Sequence, residues 1–339
     1  MINSNRRKFI KSVSTAGIGM GLLGSSLHKT SRNSSAKTTS IGIIGLDTSH
    51  SPAFAKIIND PDGEPDVSGF KVVAAYPYGS RVIESSYSRI PQYVEEFETM
   101  GIEIVGSVDE LISKVDVVLL ETNDGHPHLE QALPVLKAGK RLFIDKPITG
   151  SLEDTVAVME ASKQYETPIF SSSSLRYMAA AQSVRNEGLI GEVMGADVYS
   201  PATLEETHPD LFWYGIHGVE LLFTVMGTGC ESVSRTNTEG TDIVVGSWGS
   251  DKLGTFRGIR NGRTGYGGTA YGAEDIISLG SYEGYRPLLV HILEFFRTGI
   301  SPVSLKETLE IYAFMEAADE SKRRGGASVA LREVISKVT

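Results

Sequence analysis

The chain has 339 residues, enough for two domains, and its 40% hydrophobic and 22% charged content is that of an ordinary globular protein. The net charge of −10 argues against a nucleic-acid partner, because phosphate contacts need a basic face. No apolar run is long enough for a membrane span, and the single cysteine, Cys230, excludes an intrachain disulfide and reads as a buried small residue.

Residues 1–37 read as a targeting segment and linker. Asn5-Arg6-Arg7-Lys8-Phe9-Ile10-Lys11 places twin arginines before an apolar residue and a lysine. A mild glycine-rich stretch from Val13 to Leu23 follows, then a polar run to Thr39. This order resembles a twin-arginine export signal and predicts a periplasmic or otherwise exported protein.

From residue 38 to 172, short apolar runs alternate with helical patterns. Strands are expected at Ile41–Gly45, Lys71–Tyr76, Ile102–Val105, Val115–Glu121, Arg141–Ile144 and Pro168–Ser172. The helices between them are Ser51–Asn59, Pro91–Met100, Asp109–Lys114, Pro127–Ala138 and Leu152–Tyr165. The alternation predicts an α/β fold with a Rossmann-type, doubly wound parallel sheet. Beyond Arg176 the pattern changes. A helix at Met178–Glu187 is followed by short runs rich in Val, Thr and Gly, which predict an α+β domain over 173–339 with a mostly antiparallel, open sheet. Gly258–Gly272 shows no period and reads as a long loop or loose hairpin; helices are expected at Arg286–Arg297 and Ser304–Arg324.

The first strand ends in Gly45-Leu46-Asp47-Thr48-Ser49-His50. A dinucleotide turn uses three glycines, for the bend, for approach to the pyrophosphate and for helix packing. Here Gly45 alone stands in register, with Asp47 and His50 in the second and third positions. An inward Asp47 would repel a pyrophosphate; alternatively Asp47, Thr48 or Ser49 caps the helix, or the two hydroxyls bind phosphate oxygens. No carboxylate follows Tyr76 to hold an adenosine ribose, and Gly79-Ser80-Arg81 suits either a surface turn or the extra phosphate of NADP. Asp145-Lys146-Pro147 follows a buried strand, where the proline, cis or trans, constrains the lysine before it. His126 and His128 have no acidic or cysteine cluster at ligand spacing, so no metal is expected.

Val117–Pro147 resembles the Gfo/Idh/MocA oxidoreductase family in Thr122-Asn123, His128, Ala138-Gly139-Lys140 and Asp145-Lys146-Pro147. The likeness continues through Arg176, Gly188-Leu189-Ile190-Gly191-Glu192-Val193 and Gly215-Ile216-His217-Gly218-Val219-Glu220. It implies that Lys146 and His217 flank a hydroxyl whose carbon gives a hydride to NAD or NADP. The implied cofactor set is Gly45, Thr48, Ser49, His50, Thr122, Asn123, His128, Asp145 and Lys146, and the implied substrate set Arg176, His208, Trp213 and Tyr214. Trp213 stands where the family often has an aspartate, which puts simple inositol oxidation in question; Trp213 and Tyr214 either stack on a sugar ring or pack the core. The expected substrate is a small carbohydrate-like molecule, and the open sheet is expected to pair copies into a homo-oligomer. The alternatives are a cofactor-free carbohydrate-binding protein and a lyase or hydrolase on the same scaffold.

Overall fold

A computed structural model of the chain describes residues 38–249, 251–280 and 282–339, so the expected export signal lies outside the described residues. The first half runs β1 (Thr39–Ile44), α1 (His50–Asn59), β2 (Phe70–Tyr76), α2 (Glu84–Tyr87), α3 (Ile90–Thr99), β3 (Glu103–Ile104), α4 (Val108–Lys114), β4 (Val117–Leu120), α5 (His128–Lys137), β5 (Leu142–Ile144), α6 (Leu152–Gln164) and β6 (Ile169–Phe170). The second runs α7 (Ala179–Glu187), β7 (Val193–Pro201), α8 (Ile216–Met226), β8 (Ser232–Thr238), β9 (Thr241–Trp248), β10 (Lys252–Ile259), β11 (Gly267–Gly272), β12 (Ile276–Ser278), α9 (Arg286–Thr298), α10 (Leu305–Arg323), β13 (Val329–Ala330) and α11 (Leu331–Ile335).

The first sheet has the order β3-β2-β1-β4-β5-β6, all parallel, with the strand order reversing between β1 and β4. Its strands β4, β5 and β6 are apolar without interruption because both faces are covered. Ile44, Val118, Leu120, Leu142 and Ile144 join the core that continues through α5 and α6 into the second half. Ile41, Ile43, Leu119, Phe143 and Phe170 join the core formed with α1, α3 and α9. Thus α9, which follows the second sheet in sequence, buries Leu288, Leu289, Ile292 and Phe295 against the first. Residues 37–339 form one compact unit.

The second sheet has the order β12-β11-β7-β10-β9-β8-β13 and is antiparallel except for the β7–β10 pair. The expected loop at 258–272 is in part a strand: β10 continues to Ile259, and Gly267–Gly272 pairs with β7. Its glycines conceal the alternation that marks a strand, and packing requires them. A Cβ on Gly268 would sit 2.4 Å from the Asp197 carbonyl oxygen, and one on Gly272 would sit 2.1 Å from that of Ile190.

Arg176, read in the sequence as a substrate residue or a brace at the junction, is fully buried. Its Nε lies 2.6 Å from Glu220 on α8, and its guanidinium reaches Glu307 on α10 at 2.8 Å. Arg185 closes the set, 2.7 Å from Glu307. Removing one partner from a buried ion group leaves an uncompensated charge. Arg176→Ala is therefore expected to destabilise the chain by about 3–5 kcal/mol, read as a lowered urea midpoint.

Candidate active site

β1 delivers its turn to the reversal point of the first sheet. Gly45 adopts a φ of +90°, and a Cβ there would lie 2.6 Å from the Thr122 amide nitrogen, so the ends of β1 and β4 approach as only glycine allows. Asp47 does not cap α1, whose N-cap residue Ser49 makes no side-chain capping bond. The Asp47 carboxylate instead accepts the Ser80 N–H at 2.7 Å and the Asn123 N–H at 3.0 Å. It thereby ties the loops after β2 and β4 to the end of β1. Gly79 fits this tie, since a Cβ on it would lie 2.3 Å from Asp47 Oδ2. Ser80 extends the tie by donating to Asp124 at 2.8 Å. Burial pushes the Asp47 carboxyl up to about 6, against the lowering effect of its two N–H donors.

A pocket of about 360 Å³ opens beside this tie. One wall consists of Thr48, Ser49 and His50 at the start of α1, with Ser85, Arg89, Asn123 and Lys146. The other includes Trp213, Tyr214 and His217, with the hydroxyl-bearing rings of Tyr266, Tyr282 and Tyr285. Lys146 follows β5, its bond to Pro147 is cis, and the next amide, Ile148 N–H, donates to Tyr312 Oη of α10 at 2.5 Å. Lys146 Nζ lies 5.9 Å from the Tyr214 ring centroid. His217 Nδ1 is 2.7 Å from Ser173 Oγ. Burial, then the Lys146 charge, hold this imidazole well below its usual range, so it is neutral at ordinary pH.

Of the residues singled out in the sequence, Thr48, Ser49, His50, Asn123, Lys146, Trp213, Tyr214 and His217 meet in the pocket. Gly45, Thr122, His128, Asp145, Arg176 and His208 are not in its lining. Thr122 donates to Gln131, and both His128 ring nitrogens face carbonyl oxygens, of Thr122 at 2.7 Å and Ile148 at 3.1 Å. His208 accepts the Gly125 N–H at 3.3 Å and backs the Trp213 ring at 5.0 Å. Burial takes it down to about 4. Asp145 is buried beneath the pocket, its Oδ2 2.8 Å from His50 Nδ1; Glu121 Oε2 lies 3.8 Å from the same nitrogen. Asp124, His126 and His208 form a second ligand-type group, assembled from segments too far apart for spacing to reveal. Cys230 is buried and its thiol pushed up to about 12, which leaves it unreactive at neutral pH.

Sequence reading missed Ser85, Arg89, Tyr266, Tyr282 and Tyr285. The aperiodic stretch from Gly258 to Gly272 holds Tyr266, and nothing in the sequence singled out the other four. Glu121 was visible as a charged end to an otherwise apolar strand.

A family model described as an oxidoreductase family with an NAD-binding Rossmann fold, GFO_IDH_MocA, matches residues 40–172. An uncharacterized oxidoreductase of Streptococcus pneumoniae is 26% identical over 156 residues, 41% of this chain and 42% of that protein. The 1,5-anhydro-D-fructose reductase of Ensifer adhaerens is 33% identical over 100 residues, 28% of this chain and 30% of that protein. The chain thus matches less than half the length of these curated relatives. The fold is shared with scyllo-inositol dehydrogenase from Lactobacillus casei, solved with NAD(H) and scyllo-inositol. The TM-score is 0.69 at 16% identity, covering 87% of this chain and 99% of that one.

The Asp47 shift has a definite sign. Its folded value of about 6 exceeds the ordinary 3.8, so the stability it favours is complete below pH ~4 and is lost as pH rises through 6. The loss approaches about 3 kcal/mol above pH 7. In urea titrations between pH 4 and 7.5, Asp47→Asn is expected to show a correspondingly shallower fall.

Proposed function

We propose, for a chain that belongs to the Gfo/Idh/MocA oxidoreductase family through its residues 40–172, an NAD(P)-dependent oxidation or reduction of a sugar, cyclitol or glycoside. The observation that carries this reading is one pocket holding Lys146 from the first sheet, His217 from α8 and the open N-terminus of α1.

The residues fit the redox half of a nicotinamide nucleotide. The first turn of α1 has no acidic side chain and Ser49 makes no side-chain cap, although the His50 N–H donates to Thr48 Oγ1 at 3.4 Å, so the dipole of this helix end favours an anion in the pocket. Thr48, Ser49, Ser85 and Arg89 would hold phosphate there, in place of a triple-glycine cradle, and Asn123 and Lys146 the nicotinamide ribose. Bound in this way, NAD(P) supplies the acceptor for the hydride that leaves the alcohol carbon. His217, neutral and engaged through Nδ1, has Nε2 left to take the hydroxyl proton. Lys146 Nζ donates to the same oxygen and fixes its position. Trp213 and Tyr214 offer ring faces to the C–H side of a sugar, and the tyrosine hydroxyls opposite reach its oxygens.

The twin-arginine-like segment supports export. An exported enzyme meets little free dinucleotide, so a tightly held cofactor and a chemistry that returns it to its starting state follow. Homo-oligomerisation through the open face of the second sheet is supported by Tyr199, Leu253 and Ile276, which stand exposed there. The Asp47 tie favours a second reading, a cofactor-free carbohydrate binder, because it fills the strand-end crevice that a dinucleotide crosses.

Protein purified without added cofactor and then denatured is expected to release NAD or NADP, identified by mass spectrometry. Lys146→Ala and His217→Ala should each lower kcat by about 10²–10⁴-fold, His217→Ala with dinucleotide retention nearly unchanged and Lys146→Ala with retention reduced much less than turnover. No released dinucleotide and no uptake at saturating NAD or NADP would exclude the redox reading in favour of the binder.

A further inference from the structure

We propose that His50, Glu121 and Asp145 form a divalent metal site at the floor of the pocket, taking a first-row transition ion such as zinc or manganese. His50 opens α1 and Glu121 and Asp145 directly follow β4 and β5, and one candidate ligand atom from each lies within 4.8 Å of the others.

Glu121 is the independent pointer. It is wholly buried at the end of an apolar strand, and neither carboxylate oxygen has a hydrogen-bond partner. A buried carboxylate without partners is costly, and native proteins reserve the arrangement for a cation or a proton. One neighbouring separation agrees. His50 Nδ1 lies 3.8 Å from Glu121 Oε2, while its 2.8 Å approach to Asp145 Oδ2 is that of a direct ion pair that an inserted ion would spread. Ligand atoms about 2.0–2.2 Å from a shared ion stand roughly 3–4 Å apart without pointing at one another.

Charge leads to the same conclusion. As ligands the two carboxylates would bring two negative charges to a buried place, partly offset by the nearby Lys146 ammonium, and a divalent ion would balance the rest. One imidazole nitrogen with two carboxylate oxygens is a mixed set: too hard for a thiophilic ion, and softened by histidine relative to the all-oxygen sites of calcium or magnesium. His50 also lines the pocket, so the ion would lie directly below a bound substrate or cofactor. The site requires no dinucleotide, and its test is separate from that of the redox reading.

Chelator-treated full-length protein should be titrated with Zn²⁺ and Mn²⁺ by calorimetry. One site per chain is expected for at least one ion. Glu121→Gln and Asp145→Asn should each weaken it by at least about tenfold, with His126→Ala unchanged. X-ray absorption on the zinc-loaded wild type, which does not depend on any variant folding, should show one imidazole. Two imidazoles, or loss of binding in His126→Ala, would place the ion at Asp124, His126 and His208 and overturn the proposal. Failure of the wild type to take up either ion at stoichiometry would overturn it as well, leaving Glu121 to hold a proton.

Discussion

The Asp47 carboxylate is the contact on which the geometry of the pocket depends. Three strand ends converge at the reversal point of the first sheet, and their loops have no secondary structure to fix them. Asp47 accepts one N–H from each of the two neighbouring loops, and Ser80 passes the connection on to Asp124. Asn123 and the start of α1 are thereby held against each other, and both line the pocket. The tie is made at a buried site where the charged form is disfavoured, so it favours one loop arrangement over others more than it adds to stability.

The second half of the chain completes what the first cannot close. His217 and Tyr214 stand at the start of α8, whose helix is anchored by Glu220 to Arg176. Arg176 also reaches α10, and α10 presents Tyr312 to the backbone just after Lys146. Lys146 and His217 are therefore both placed by buried polar contacts that meet on α8 and α10, although they are 71 positions apart in the sequence.

Much of this was legible in the sequence. Strands such as Val117–Leu120 and Leu142–Ile144 are unbroken apolar runs, and their period and spacing give the parallel sheet directly. Lys146 and His217 were legible through family motifs. β11 was not, because Gly267, Gly268 and Gly272 supply no side chains to alternate, and their necessity shows only once β7 lies against them. Nor was the burial of Thr122, His128 and Asp145, since a motif names residues near a ligand without saying which of them touch it. The group of His50, Glu121 and Asp145 was hidden for a simpler reason: no spacing rule connects a helix start and two strand ends that meet only through the sheet order.

The return of α9 to the first sheet has a consequence for how this molecule can be divided. The helix begins beside Tyr285, whose ring sits 4.4 Å from that of His50 and whose hydroxyl lies 3.3 Å from Ser49 Oγ. Its apolar face then covers the sheet that the first half of the chain has built. A fragment ending after β6 would expose Phe54, Phe143 and Phe170 to water, so the nucleotide-type half is not a transplantable module but a fold that is finished from the far end of its own polypeptide.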